Sequence, residues 1–281
     1  MNEKIDEVFE KLKPELVSTD SRVGDIVVYK NDSIVSGSIL VYGEYSHAEI
    51  VVMNRYLDKD SVYFDVGTNI GYHVRAVSEL AKCTVIGFEP HPKHFAVAAY
   101  NIKNDNNIKL YNCAVGDVEG EVTISDFDES LHQNYGEARA VEGTEGVVAR
   151  LITIDSLQPE KCTVMKIDVE GLEPHVLKGA NKTIDKFRPV IFYEAQEYDP
   201  WTQSYAILEK KNYKQYWVTC RVKPMHETYK KTDMNPFGNI GVKNILAVPS
   251  EKTQPDDLMS VIAGEEYSIT LDRVMNTKVI F

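Results

Sequence analysis

Apolar positions change their period along the first sixty residues. Ile5, Val8, Phe9 and Leu12 recur at helical spacing through residues 2–13 and stop at Pro14, which predicts a short amphipathic helix. Ile26–Tyr29 and Ser38–Tyr42 are β-rich runs with Asn31, Asp32 and Gly37 as turn signals between them, a hairpin pattern. Residues 46–57 return to helical spacing, with Ser46 as the N-cap and Glu49 three positions later.

From Ser61 onward, strand and helix patterns alternate. Val62–Val66, Thr84–Phe88, Ile108–Asn112, Val164–Ile167 and Val190–Tyr193 are short apolar runs of strand length. The segments Tyr72–Leu80, Lys93–Ile102, Pro174–Ala180 and Thr202–Lys210 have helical periodicity. This alternation predicts an α/β fold of the Rossmann-like kind, a mostly parallel seven-stranded sheet with helices on both faces. Tyr213–Val218 and Asn244–Val248 are expected to close it as an antiparallel hairpin. The expected division is a helix and β-hairpin cap over residues 1–60, a main domain over 61–250 and a tail over 251–281. An acidic stretch from Asp126 to Gly146, carrying Glu129, Glu137, Glu142 and Glu145, reads as a lid or a solvated loop.

Composition narrows the function classes. The chain has 281 residues, 43% of them apolar, with a net charge of -12. That charge argues against a nonspecific nucleic-acid binder, which needs clustered Lys and Arg. Cys83, Cys113, Cys162 and Cys220 form no C-x-x-C pair and read as reduced, packed thiols. No apolar stretch reaches the roughly 18 residues of a membrane span, and the expectation is a soluble, cytoplasmic protein.

Asp65-Val-Gly67-Thr-Asn69-Ile-Gly71 follows an apolar strand and opens a helix, the place where glycines let a ligand approach the backbone. A nicotinamide dinucleotide site would have a glycine where Asn69 stands. A carboxylate at Asp65 would repel a pyrophosphate and suit a ligand with an ammonium and a sulfonium, which favours S-adenosylmethionine over NAD. Glu89 ends the next strand, 18 residues beyond Gly71, where an acidic side chain accepts from ribose hydroxyls. Asn112, or the Ala114 and Val115 backbone, would lie at the adenine edge.

The fourth strand ends in Lys166-Ile-Asp168-Val-Glu170-Gly-Leu-Glu173. Charges at the end of a buried strand need partners or a function. Lys166 and Asp168 suit an ion pair, Glu173 a helix-start carboxylate, and Asp168 either a general base toward a substrate hydroxyl or a positioner of the cofactor's amino group. Glu194 and His73 are further base candidates, His73 also a donor to the methionine carboxylate. Asp168 with Glu194 offers oxygens to a divalent cation, without a clear third ligand. Tyr72, Tyr193, Tyr198, Trp201 and Tyr205 are candidates for stacking on a sugar ring.

Asp65 to Gly71, Phe88-Glu-Pro90, Val115-Gly-Asp117 and above all residues 166–173 resemble the FkbM-type methyltransferase family, with Asn244 to Pro249 similar to its closing strand. The resemblance implies a S-adenosylmethionine-dependent O-methyltransferase releasing S-adenosylhomocysteine, with a sugar or glycan hydroxyl as acceptor. It also implies that Asp65, Gly67, Asn69, Gly71 and Glu89 hold the cofactor and that Asp168, Glu170 and Glu173 belong to the active-site motif. The alternatives are a NAD-dependent oxidoreductase on the same architecture and a noncatalytic nucleoside-binding protein.

Overall fold

A computed structural model describes residues 3–137, 139–140 and 146–261. The N-terminal segment contains α1 (Glu3–Leu12), the antiparallel pair β1 (Leu16–Thr19) and β2 (Ile26–Tyr29), then α2 (Val35–Tyr42) and α3 (His47–Asn54). Helix α1 meets the main domain through Phe9, whose ring stacks on Tyr100 with centroids 4.2 Å apart. The hairpin thus pairs Ile26–Tyr29 with Leu16–Thr19, and the run Ser38–Tyr42 is helical. Ser36, Ser38, Ile39 and Tyr42 are all buried in α2, so this helix shows no polar face from which a period of 3.6 could be read. Ser46 precedes α3 with φ 46° and makes no side-chain cap bond, so the expected capping box does not form; Glu49 turns inward.

The main domain continues with β3 (Val62–Val66), α4 (Tyr72–Ala81), β4 (Thr84–Phe88), α5 (Pro92–Asn101) and β5 (Ile108–Tyr111). Three strands outside the central sheet follow: β6 (Ala114–Val115), β7 (Gly120–Ile124) and β8 (Val147–Ile152), with β8 between the other two. Then come β9 (Val164–Ile167), α6 (Glu173–Gly179), α7 (Asn181–Phe187), β10 (Val190–Glu194), α8 (Tyr198–Lys210), β11 (Tyr213–Arg221), β12 (Gly241–Pro249) and β13 (Met259–Ser260).

The central sheet has the order β13-β11-β12-β10-β9-β3-β4-β5. Strands β5, β4, β3, β9 and β10 are parallel, and β12, β11 and β13 are antiparallel additions. The seven expected strands are present, and an eighth, β13, comes from the segment read as a tail; residues 262–281 lie outside the described residues. Successive strand residues feed two cores. Tyr63, Val164 and Phe192 pack with the N-terminal segment, α4 and α5, whereas Phe64, Met165 and Tyr193 pack with α6, α7 and α8. Period-2 side chains buried on both faces explain the near-continuous apolar runs.

The acidic stretch is partly built into the fold. Tyr135, 1% exposed, donates its hydroxyl to the Glu129 and Leu131 carbonyls, and the Asn31 amide donates to Glu129. Glu142 and Glu145 lie outside the described residues. The irregular segment between β11 and β12 is tied to the N-terminal segment through Glu44. That fully buried carboxylate accepts from Arg22 Nε at 2.8 Å and from the Tyr229 backbone at 3.0 Å. All four cysteines are buried, and no helix among the described residues is long and apolar enough to cross a membrane.

Candidate active site

The carboxyl ends of β3, β4, β9 and β10 open onto one cavity of about 670 Å³. It lies where the chain, having built β3, β4 and β5 to one side, returns to build β9 and β10 on the other. Such a reversal leaves a crevice beyond the strand ends.

Gly67 leaves β3 with φ 92°, and a Cβ there would stand 1.9 Å from the Asp168 carbonyl oxygen. Only glycine lets this turn pass the end of β9. Asn69 (φ 52°) donates its backbone N–H to Glu89 Oε2 at 2.7 Å, and Glu89 Oε1 accepts from His91 N at 2.9 Å. Glu89 is therefore aimed before any ligand arrives, and burial pushes its pKa up to about 8. Gly67, Asn69, Glu89, Ala114 and Val115 all line the cavity.

Three expected cofactor residues do other work. Asp65 is fully buried and off the cavity wall, its carboxylate 3.5 Å from Lys166 Nζ. The acidic side chains that line the cavity there are instead Glu89, Asp168, Glu170 and Glu194. Gly71 caps α4 at φ 87° and allows close packing, since a Cβ would press on Ala98 at 3.3 Å. Asn112 braces the loop after β4, its amide donating to the Glu89 and Pro90 carbonyls at 2.8 and 3.1 Å.

Lys166 donates to Asp168 Oδ2 at 2.9 Å, forming the expected ion pair. Burial works against its charge, yet Asp168 and Asp65 outweigh it and hold the Lys166 pKa above its usual value. Glu173, 1% exposed, accepts from the Val169 and Gly171 backbones at 3.2 Å each, and so shapes the loop that carries Glu170. Glu170 has φ 54° and lies 3.3 Å from Arg139; Arg139 also pairs with Glu197. Burial and neighbouring carboxylates push Glu170 to about 8 and Glu194 to about 10. Asp168, Glu170 and Glu194 each place an oxygen within 4.8 Å of the others. Glu170 is thus the third carboxylate that sequence spacing did not supply. A hard divalent cation held there would draw its remaining ligands from water or substrate.

His73 lines the cavity but is 7% exposed, and neither ring nitrogen has a hydrogen-bond partner. The Tyr45 backbone approaches without a well-formed bond. Burial, then the charge of Lys166, keeps the imidazole neutral with a pKa well below the usual value. Tyr193, Trp201 and Tyr205 do not reach the cavity, and Tyr198 is an exposed side chain off its wall. Tyr193 donates to Gln215 at 2.8 Å and Trp201 packs edge-on against Trp217. The ring that does reach the wall, besides Tyr72 and Phe88, is Tyr45. Sequence reasoning missed Tyr45, and missed Glu49, Arg139 and Asn244 as wall residues, because no local motif marks them.

A cavity at the reversal point of a mostly parallel sheet, with a glycine turn after β3 and an oriented carboxylate after β4, defines a Rossmann-like nucleoside-binding protein. Residues 65–216, more than half of the 281, match the FkbM methyltransferase domain, and the chain belongs to that family. Methyltransferase 1 of Beauveria bassiana is 25% identical over 165 residues, covering 48% of this chain and 66% of that protein. The hexuronic acid methyltransferase AglP of Haloferax volcanii is 26% identical over 135 residues, covering 48% of this chain and 56% of that one. The matched region thus spans less than two thirds of the length of either relative. The crystal structure of the methyltransferase FkbM from Methylobacillus flagellatus has a TM-score of 0.48 and 16% identity, covering 68% of this chain and 44% of that one.

The cavity fits S-adenosylmethionine. Bound there, its ribose hydroxyls would meet Glu89, its base the Ala114 and Val115 backbone, and its sulfonium and ammonium the Asp168 carboxylate, all of which line the cavity.

Proposed function

We propose that the protein is a S-adenosylmethionine-dependent O-methyltransferase whose acceptor is a hydroxyl of a sugar or glycan. The observation that carries this reading is the position of Asp168. It ends β9 on the cavity wall, beside the Gly67 turn, with its carboxylate held by Lys166 at 2.9 Å. Bound S-adenosylmethionine supplies an activated methyl group. Asp168 accepts the proton of the attacking hydroxyl, and the hydrogen bond from Lys166 keeps that carboxylate oriented. Glu194, with a pKa of about 10, is protonated at neutral pH and serves as a hydrogen-bond donor rather than a base. His73, neutral and buried, neither carries charge to the cofactor carboxylate nor competes as the base. A divalent cation on Asp168, Glu170 and Glu194 is a secondary proposal, tested by the effect of EDTA on turnover. In this reading residues 61–250 form the catalytic unit and residues 1–60 cover its acceptor side.

The test is calorimetric titration with S-adenosylhomocysteine and, separately, NADH. Micromolar binding of the former, abolished by Glu89→Ala, is expected; binding of NADH alone would overturn the proposal in favour of an oxidoreductase. Methyl transfer to a panel of glycosides then tests the acceptor class.

A further inference from the structure

The cavity extends past the proposed cofactor contacts to a second group of lining residues. Its wall is formed by Tyr45 and Glu49 from the N-terminal segment, His73 from the first turn of α4, and Asn244 from β12. Glu49 and Asn244 are 4% and 5% exposed, and the Asn244 amide donates to Glu49 Oε1 at 3.0 Å. Two polar groups, 195 positions apart in sequence, are brought together beneath a cavity wall where a closed core would place apolar side chains. His73 adds two buried ring nitrogens without partners. Leaving such a group unsatisfied is costly, and a guest carrying hydroxyls would supply the missing partners. The Tyr45 ring lies 5.9 Å from the His73 ring and inclined 31° to it, so the two present broad faces side by side. Asn244 pairs in register with Glu194 across β12 and β10, which puts this polar patch next to the carboxylates around Asp168.

Resting on the reading of a sugar methyltransferase, we propose that Glu49, Asn244 and His73 are the acceptor-recognition residues, and that they select an uncharged polyhydroxylated ring over a hexuronate. Glu49 and Asn244 read adjacent hydroxyls, and His73 takes or gives one hydrogen bond according to its tautomer. The preference against a carboxylate follows from the charges on the wall. The Lys and Arg side chains among its described lining residues are both engaged, Lys166 by Asp65 and Asp168 and Arg139 by Glu170 and Glu197, so neither is at hand to pair with a hexuronate carboxylate.

The experiment is saturation-transfer NMR on the protein saturated with S-adenosylhomocysteine. The probes are methyl hexopyranosides of gluco, galacto, manno and rhamno configuration, and methyl glucuronoside. Glu49→Gln and Asn244→Ala are compared with the parent chain; calorimetry with S-adenosylhomocysteine checks the fold and the cofactor end of each variant. Expected are transfer to at least one neutral glycoside, a fivefold or greater loss in both variants, and cofactor-product affinity unchanged within twofold. Transfer that persists in both variants overturns the subsite and leaves the sugar reading standing. Transfer confined to the glucuronoside overturns the neutral class. Silence from every glycoside, with S-adenosylhomocysteine bound, overturns the sugar reading and the subsite with it.

Discussion

The two ends of the cavity are built by different means. The proposed cofactor end is made largely of backbone: the Gly67 turn, the Asn69 and His91 amides on Glu89, and the strand β6 carrying Ala114 and Val115. All of it follows directly from consecutive strand ends. The proposed acceptor end is made of side chains delivered mainly by α3, α4 and β12. The contrast teaches that a sheet topology can fix a nucleoside site almost by itself, whereas selection of the second substrate needs packing between segments that have no local relation.

Substitutions can separate the two ends. The largest effect is expected from Gly67→Ala, which forces a Cβ against the Asp168 carbonyl in a left-handed backbone. Chemical denaturation should show a loss of about 3 kcal/mol or more, at the severe end of single substitutions, with binding of S-adenosylhomocysteine lost too. Asp168→Asn should spare that binding while lowering kcat by roughly 10²–10⁴-fold, the usual worth of a general base. Retained turnover would overturn Asp168 as the proton acceptor.

A pH effect isolates the acceptor end. Burial, then the charge of Asp168, lifts Glu49 to about 8 from a usual value of 4.5. Between those values the folded protein holds a proton that the unfolded chain has released. This contribution to stability is fully present below pH 4.5 and is lost as pH rises through 8. Urea midpoints for Glu49→Gln should therefore fall less steeply than those of the parent between pH 5 and 8; parallel profiles would refute the assignment. Smallest of all is Arg139→Ala, which removes a half-exposed clasp to Glu170 and Glu197. It should cost below about 1 kcal/mol in a thermal melt.

Legibility in the sequence follows the same division. Val62–Val66, Thr84–Phe88 and Val164–Ile167 were readable to the residue because strands buried on both faces are unbroken apolar runs between turn signals. Glu89 and Gly67 were readable because strand-end chemistry is local. Ser38–Tyr42 misled because an all-round buried helix and a β-rich run share one composition. Strands β7 and β8 were missed because much of their surface is solvent-exposed and their alternation is weak. Asp65 was placed in the cavity on the sign of its charge, yet Lys166, two strand positions before Asp168, draws it into the sheet. Tyr45, Glu49 and Asn244 acquire meaning only once α3 rests over the end of β12.

The contact between Gly67 and the Asp168 carbonyl also sets a mechanical condition. The turn after β3 and the end of β9 run so close that a Cβ at Gly67 would meet the Asp168 carbonyl oxygen at 1.9 Å, so the proposed cofactor turn and the proposed base share one tightly packed crossing. Misalignment of about 1 Å can slow a reaction 10²-fold; under the proposed function the path of the main chain would set the distance over which the methyl travels, while the side chains around it would set which acceptor enters.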